Sequence, residues 1–111
     1  LDADWLSGLK AAAQHPQMFC KVSALVEGAA QGGRTAPADP AYYRPVLAAV
    51  WDAFGDDRVI YGSNWPVSAR YASYEVVQSI VQSFVQDRGR TTAEKFFHGN
   101  ARRAYKWPQR I

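Results

Sequence analysis

Ser63, Asn64, Trp65 and Pro66 follow directly on Arg58-Val59-Ile60-Tyr61-Gly62, a short run rich in branched and aromatic residues. A polar tip at the C-terminal end of such a strand is where α/β proteins collect ligands. Asn64 therefore has two readings: a polar group at the mouth of a site, or a turn residue that hydrogen-bonds its own backbone. Lys21 and Ser23 alternate in Phe19-Cys20-Lys21-Val22-Ser23, so on a strand they share one face. A polar pair in an apolar strand suits a substrate contact or a Lys-to-carboxylate pair. Trp65 suits a packing lid under the site or a stacking surface, and Arg70 with Tyr71 suits an anionic substrate or plain solvation. Cys20, between Phe19 and Lys21, has no neighbour that would activate a thiol and reads as a small hydrophobe. His15 and His98 lie far apart at expected helix ends, and with one cysteine they offer no local metal cluster.

The elements that must hold these residues follow from periodicity and caps. Trp5, Leu6, Leu9, Ala12 and Ala13 form one stripe of an amphipathic helix over 2–14, closed by Pro16. Met18 to Ala24 is too short for a helix and suits a buried strand. Residues 26–40 are rich in Gly, Ala and Pro without a period, which predicts a mobile loop. Asp39 and Pro40 open a helix whose Tyr43, Val46, Leu47, Val50, Trp51 and Phe54 share a face up to Gly55. Pro45 argues that its regular part starts near Arg44, after a separate turn. A second strand covers 58–63, and Ser73 caps a third helix that ends at Gly89. Thr91 and Glu94 form a capping-box pattern for a fourth helix, with a break at Gly99 and Asn100 before a last turn.

Two strands joined by a crossover helix make a parallel βαβ unit. Such a pair leaves two unpaired edges and cannot bury three apolar helical faces, so it belongs in a larger sheet or barrel. The missing strands are expected from another segment or another copy of the chain.

Composition narrows the class. With 48% hydrophobic and 21% charged residues, and 4 Trp, 6 Tyr and 5 Phe among 111 positions, the chain is globular, with one domain at most. No apolar run reaches the roughly 20 residues that cross a bilayer, and the acidic start differs from a signal peptide, so no membrane and a cytoplasmic location are expected. The net charge of +3 points to no particular partner. Arg88, Arg90, Arg102, Arg103, Lys106 and Arg110 interleave with Tyr105 and Trp107, a pattern some nucleic-acid binders share. No binding motif surrounds them, and a solvated helix face is the preferred reading. The start at Leu1 and the single internal Met18 suggest a piece of something longer.

The stretch from Phe54 to Val67, FGDDRVIYGSNWPV, resembles the last-strand signature of the amidohydrolase-related family of metal-dependent (β/α)8 hydrolases, which includes sugar lactonases. The family pattern is F-G-x-x-R, three hydrophobic residues, then G-S-D-W-P. Upstream, Trp5 and the run from Phe19 to Ser23 are similar to the preceding helix and seventh strand. Downstream, Phe96, Phe97, Asn100, Ala101 and Tyr105 are similar to the closing helix.

The resemblance implies the C-terminal part of a TIM barrel over residues 1–111, with two parallel strands and about four helices. It implies hydrolysis of a lactone, ester or amide bond by activated water, with Asn64 at the catalytic position; Lys21, Ser23, Trp65 and Arg70, read from strand alternation and the following loop, are the candidate substrate contacts. It also implies a small-molecule substrate and a divalent metal, zinc first, in the intact enzyme. The family's metal-binding histidines fall outside these positions, so this chain alone is expected to bind none. A homo-oligomer or a missing barrel segment would complete the site. Asn64 stands where the family's Asp accepts the proton of the attacking water and touches the metal. An amide has no useful basicity, and loss of a positioned base costs on the order of 10²- to 10⁴-fold in rate. The alternative is a truncated remnant without catalysis, with a structural or interaction role.

Overall fold

The computed structural model describes residues 1–30, 33 and 35–108. Asp2 caps the first helix, α1 (Ala3–Ala13), by accepting from the Trp5 amide. Strand β1 (Cys20–Val22) follows, then α2 (Leu25–Ala30). A 3₁₀ turn at Pro40–Tyr43, capped by Asp39, leads into α3 (Arg44–Phe54). Pro45 therefore lies in the first turn of α3, where a missing N–H is harmless. Strand β2 (Val59–Tyr61) and a 3₁₀ turn at Val67–Arg70 precede α4 (Tyr74–Arg88), which Ser73 caps through the Val76 amide.

Three expectations about the helical segments are corrected. Part of the expected loop at 26–40 is helical, because Leu25 and Val26 turn inward and tie the Gly- and Ala-rich segment to the core. The loop's positions 31, 32 and 34 lie outside the described residues. The capping box at Thr91 does not form: Gly89, at φ +108°, both ends α4 and opens α5 (Arg90–Glu94). Thr92 instead donates its hydroxyl to Asp56, while Glu94 pairs with Arg90. Gly99 and Asn100 do not break the chain. A π-helical turn, Lys95–Gly99, carries it from α5 straight into α6 (Asn100–Ala104). The extra residue per turn lets Phe96 face the core while Asn100 reaches β2.

The strands pair in parallel, Cys20 with Val59, Lys21 with Ile60 and Val22 with Tyr61. Both are shorter than expected, three residues each. Val22 and Val59 point into the helical core, with Cys20 and Tyr61 packed against it, whereas Ile60 lies outside that core. The core is built around aromatic rings. Trp51 meets Phe84 at 5.0 Å and Phe96 at 5.1 Å between centroids, and Tyr61 meets Phe96 and Phe97 at 5.5 and 5.3 Å. Full burial of each such side chain contributes about 1.5–3 kcal/mol. Behind them α4 buries Val77, Ile80, Val81, Phe84 and Val85, the spacing of one helical face. The stripe on α1 is less sheltered: Trp5 is 40% exposed and only Ala13 is buried. An open groove of about 250 Å³ beside β1 separates Trp5 and Leu9 from Val46 and Val50.

A polar clamp holds the N-terminal end of the strands. Asn100 is fully buried and donates to the carbonyls of Asp56 (2.6 Å) and Val59 (2.9 Å), while its own oxygen accepts from Arg103. Asp56 also accepts from the Trp51 indole and Thr92. Arg58 donates to the carbonyls of Ala13, His15 and Met18, which satisfies the end of α1 and the turn after it. On the outside, Lys95 pairs with Asp57 at 2.8 Å, and its ammonium holds the Asp57 carboxyl below the usual carboxylate range.

Replacing Asn100 by Ala orphans two carbonyls at a fully buried position, so Asn100→Ala is expected to cost about 2–4 kcal/mol in denaturant unfolding. At Gly62, an added Cβ would meet Lys21 Cε at 2.7 Å and the Ser23 hydroxyl at 3.2 Å. The exposed Lys21 tip can swing aside, so Gly62→Ala should cost no more than about 1 kcal/mol in denaturant unfolding, through the tight contact with Ser23 that remains.

Candidate functional site

The contact at Gly62 defines the opposite face of the sheet. Because the glycine's missing side chain would point at Lys21 and Ser23, these two residues lie on the side of the strands away from the helical core, as their alternation requires. A side chain at 62 would push the flexible tip of the exposed Lys21 aside and crowd Ser23. The backbone past the two strands then turns sharply at matching places: Ala24 after β1 has φ +57° and Asn64 after β2 has φ +54°. Asparagine tolerates this left-handed region, whereas for alanine it costs about 1–2 kcal/mol, a strain the packed core on either side sustains.

Beyond these turns, residues from three segments converge. Asn64 donates its side-chain N–H to Glu27 Oε1 at 3.0 Å, and Ser68 donates its hydroxyl to the same oxygen at 2.6 Å. Ser68 is buried at 1% exposure, its hydroxyl lies 3.0 Å from the Ser63 carbonyl, and its amide donates to the Asn64 carbonyl. The Ser63 hydroxyl accepts from the Trp65 amide. The turn reading of Asn64 thus captures its backbone, while its side chain is committed across 37 positions to the helix after β1. Glu27 Oε2 is buried and has no hydrogen-bond partner among the described residues. An orphaned carboxylate oxygen is costly, and such atoms call for an explanation.

Glu27 and Ser68 were absent from the residues expected at the site. Glu27 lies in the segment expected to be a loop, and once that segment is helical its side chain swings to the strand ends. The signal was a single carboxylate in the apolar run Ala24-Leu25-Val26-Glu27 directly after the first strand. Ser68 carried no signal, since a serine in a turn is commonplace.

The other expected site residues fall as follows. Lys21 is exposed and Ser23 half-buried, beside Gly62. Trp65 is 41% exposed and sets its ring edge-to-face against Tyr74 at 5.4 Å. Arg70 is exposed at the end of its 3₁₀ turn, outside the hydrogen-bonded cluster around Glu27. The Cys20 thiol is half-buried, and burial pushes its pKa up, against a role as nucleophile. Burial likewise raises the Tyr61 phenol, which donates to Gln78 at 2.7 Å.

As to a metal, the described residues contain no group of three or more His, Cys, Asp or Glu side chains placed to hold one. Glu27 is a single carboxylate already engaged by two donors, which does not amount to a metal site. None of the described helices is long and apolar enough to cross a membrane.

Comparison with known proteins agrees with this geometry. The sequence matches the amidohydrolase family over residues 2–107. It is 35% identical over 109 residues to an L-fucono-1,5-lactonase of Burkholderia multivorans, covering 96% of this chain and 36% of that protein. The structure is similar to a zinc-bound amidohydrolase from Burkholderia multivorans, with a TM-score of 0.86, 35% identity, and coverage of 96% of this chain and 38% of that one. It is also similar to an amidohydrolase from Bifidobacterium longum subsp. infantis, with a TM-score of 0.66, 31% identity, and coverage of 97% and 36%. The chain thus spans little more than a third of the relatives it matches. Its parallel strands, flanking helices and last-strand signature together make it a member of the amidohydrolase family.

Proposed function

We propose that this chain forms the strand-seven and strand-eight sector of an amidohydrolase-type (β/α)8 barrel that opens a lactone, ester or amide bond of a small molecule with water. The observation that carries the reading is the parallel register of β1 and β2, which brings Ser23 and the Gly62-Ser63-Asn64 tip to the same end of adjacent strands. In barrels of this kind that end holds the chemistry. The zinc in the Burkholderia multivorans structure and the lactonase activity named for the relative support the substrate and metal class.

Within such a barrel, the groove beside β1 receives the preceding strand, and the exposed Trp5 with the half-buried Leu9 becomes part of the wall between neighbours. Lys21 and Ser23 would face the lumen, where an ammonium and a hydroxyl suit the oxygen-rich surface of a sugar lactone. Trp65, paired with Tyr74, would form part of the rim. Arg70 remains a candidate for an anionic substituent on the substrate.

Among the described residues none are grouped to hold a metal, so no step through one is assigned to them. Water adds to the acyl carbon, the bond to the leaving oxygen or nitrogen breaks, and that atom takes up a proton. In that sequence Asn64 can accept a hydrogen bond from water or substrate through its oxygen, but cannot take the proton. The amide at this position is also what favours the second reading, a non-catalytic remnant with a binding role.

Acid release from sugar 1,5-lactones by the complete protein, followed with a pH indicator, tests the proposal. Hydrolysis that falls more than tenfold on chelation and returns with added zinc is the expected result. A zinc-supplemented sample that opens no lactone or aryl ester would overturn the hydrolase reading in favour of the remnant. A second expected outcome concerns Lys21→Ala, which should raise KM several-fold with a smaller change in kcat.

A further inference from the structure

Glu27 and Asn64 occupy the strand ends as a matched pair, and each side chain dictates what the other has to be. A carboxylate only accepts hydrogen bonds, so the amide beside it must present its N–H. This fixes the flip of Asn64, which is otherwise a matter of choice between two nearly isosteric ends. With the nitrogen engaged by Glu27, the acceptor oxygen Oδ1 is the end left over; it has no partner among the described residues and is not among the buried unpartnered atoms. Ser68 strengthens the arrangement by donating to the same Glu27 oxygen, which anchors the carboxylate against the turn that follows Asn64. Glu27 itself sits one turn beyond the left-handed Ala24, so the bend after β1 and the bend after β2 are joined by these two hydrogen bonds.

An aspartate at position 64 would not fit this frame. Its oxygen would replace the amide nitrogen 3.0 Å from Glu27 Oε1, setting two acceptors and two like charges against each other at a half-buried site. The amide at 64 and the carboxylate at 27 are therefore complementary in this chain, donor against acceptor.

We propose that Glu27 is the positioning residue of the site: it holds Asn64 so that the amide oxygen is the group presented to water or substrate, and it keeps within one hydrogen bond of that oxygen's side chain the negative charge that an aspartate would have carried. Together the two residues bear one negative charge, set back from the surface by the length of a hydrogen bond. This rests on the hydrolase reading for its catalytic half and on the geometry alone for its pairing half.

Three variants of the complete protein test it: Glu27→Gln, Asn64→Asp and the exchange of the two groups, Glu27→Gln with Asn64→Asp. Thermal unfolding reads the pairing. Asn64→Asp alone should lower the midpoint or fail to fold, Glu27→Gln alone should change it little, and the exchanged pair should return to the parent's midpoint. An Asn64→Asp loss that is equally large in the parent and in the Glu27→Gln background overturns the proposal, whatever the activity. Steady-state lactone hydrolysis reads the positioning. Glu27→Gln frees the amide at 64 to flip, and kcat should fall tenfold or more at nearly constant KM. The exchanged pair should recover the parent kcat or exceed it. A Glu27→Gln enzyme with the parent's kcat overturns the positioning role even where the unfolding data show coupling. If the parent hydrolyses nothing, the hydrolase reading falls by itself, and the unfolding cycle decides the pairing.

Discussion

Two parallel strands of three residues each have too few hydrogen bonds to hold themselves together, so everything else here depends on what pins them in register. The pin is Asn100, which reaches from the last helix to the carbonyls of Asp56 and Val59 just where β2 begins. Asp56 spreads the load to Trp51 and Thr92, and Arg58 carries it across to the end of α1. An aromatic cluster of Trp51, Phe84, Phe96 and Tyr61 packs on the helical side of the sheet, and the buried bond from Asn100 to the Val59 carbonyl is worth more there than it would be on the surface.

The clamp and the candidate site sit at opposite ends of the same strands. Asp56, Arg58 and Asn100 act before β2, while Asn64, Ser68 and Glu27 gather after the strands end. This separation lets the mouth carry features that cost stability, namely two left-handed residues and a buried carboxylate oxygen without a partner. The cost is tolerable because the other end is over-determined. In the clamp, Asn100 and Arg58 bind carbonyls and fix the backbone, whereas at the mouth the bonds from Asn64 and Ser68 to Glu27 join side chains.

Legibility in the sequence followed the range of the forces. Helices α3 and α4 were readable because periodic apolar faces, Ser73, Gly55 and Gly89 are local signals. The strands were readable in place and direction, though not in length, since their ends are set by the left-handed bends at Ala24 and Asn64. Helix α2 was hidden because six residues with two alanines and a glycine have no stability of their own and form only by docking Leu25 and Val26. The capping box failed because the helix already starts at Gly89, which puts Thr91 inside the first turn and leaves Glu94 to pair with Arg90. Asn64, Lys21 and Ser23 were legible as site candidates from strand alternation and the polar tip, and Glu27 was not, since its partner lies 37 positions away.

What the sequence determined by itself was the α/β order of elements, the crossover that makes the strands parallel, and the likeness of its last strand to the amidohydrolase signature, all of which depend on neighbours along the chain. What only the tertiary structure decided was the company Asn64 keeps. Whether an amide after a strand is a self-satisfied turn residue or an oriented acceptor depends on which group stands three ångströms away. Here that group is a carboxylate from another helix, brought there by the docking of α2 and the parallel register of β1 on β2.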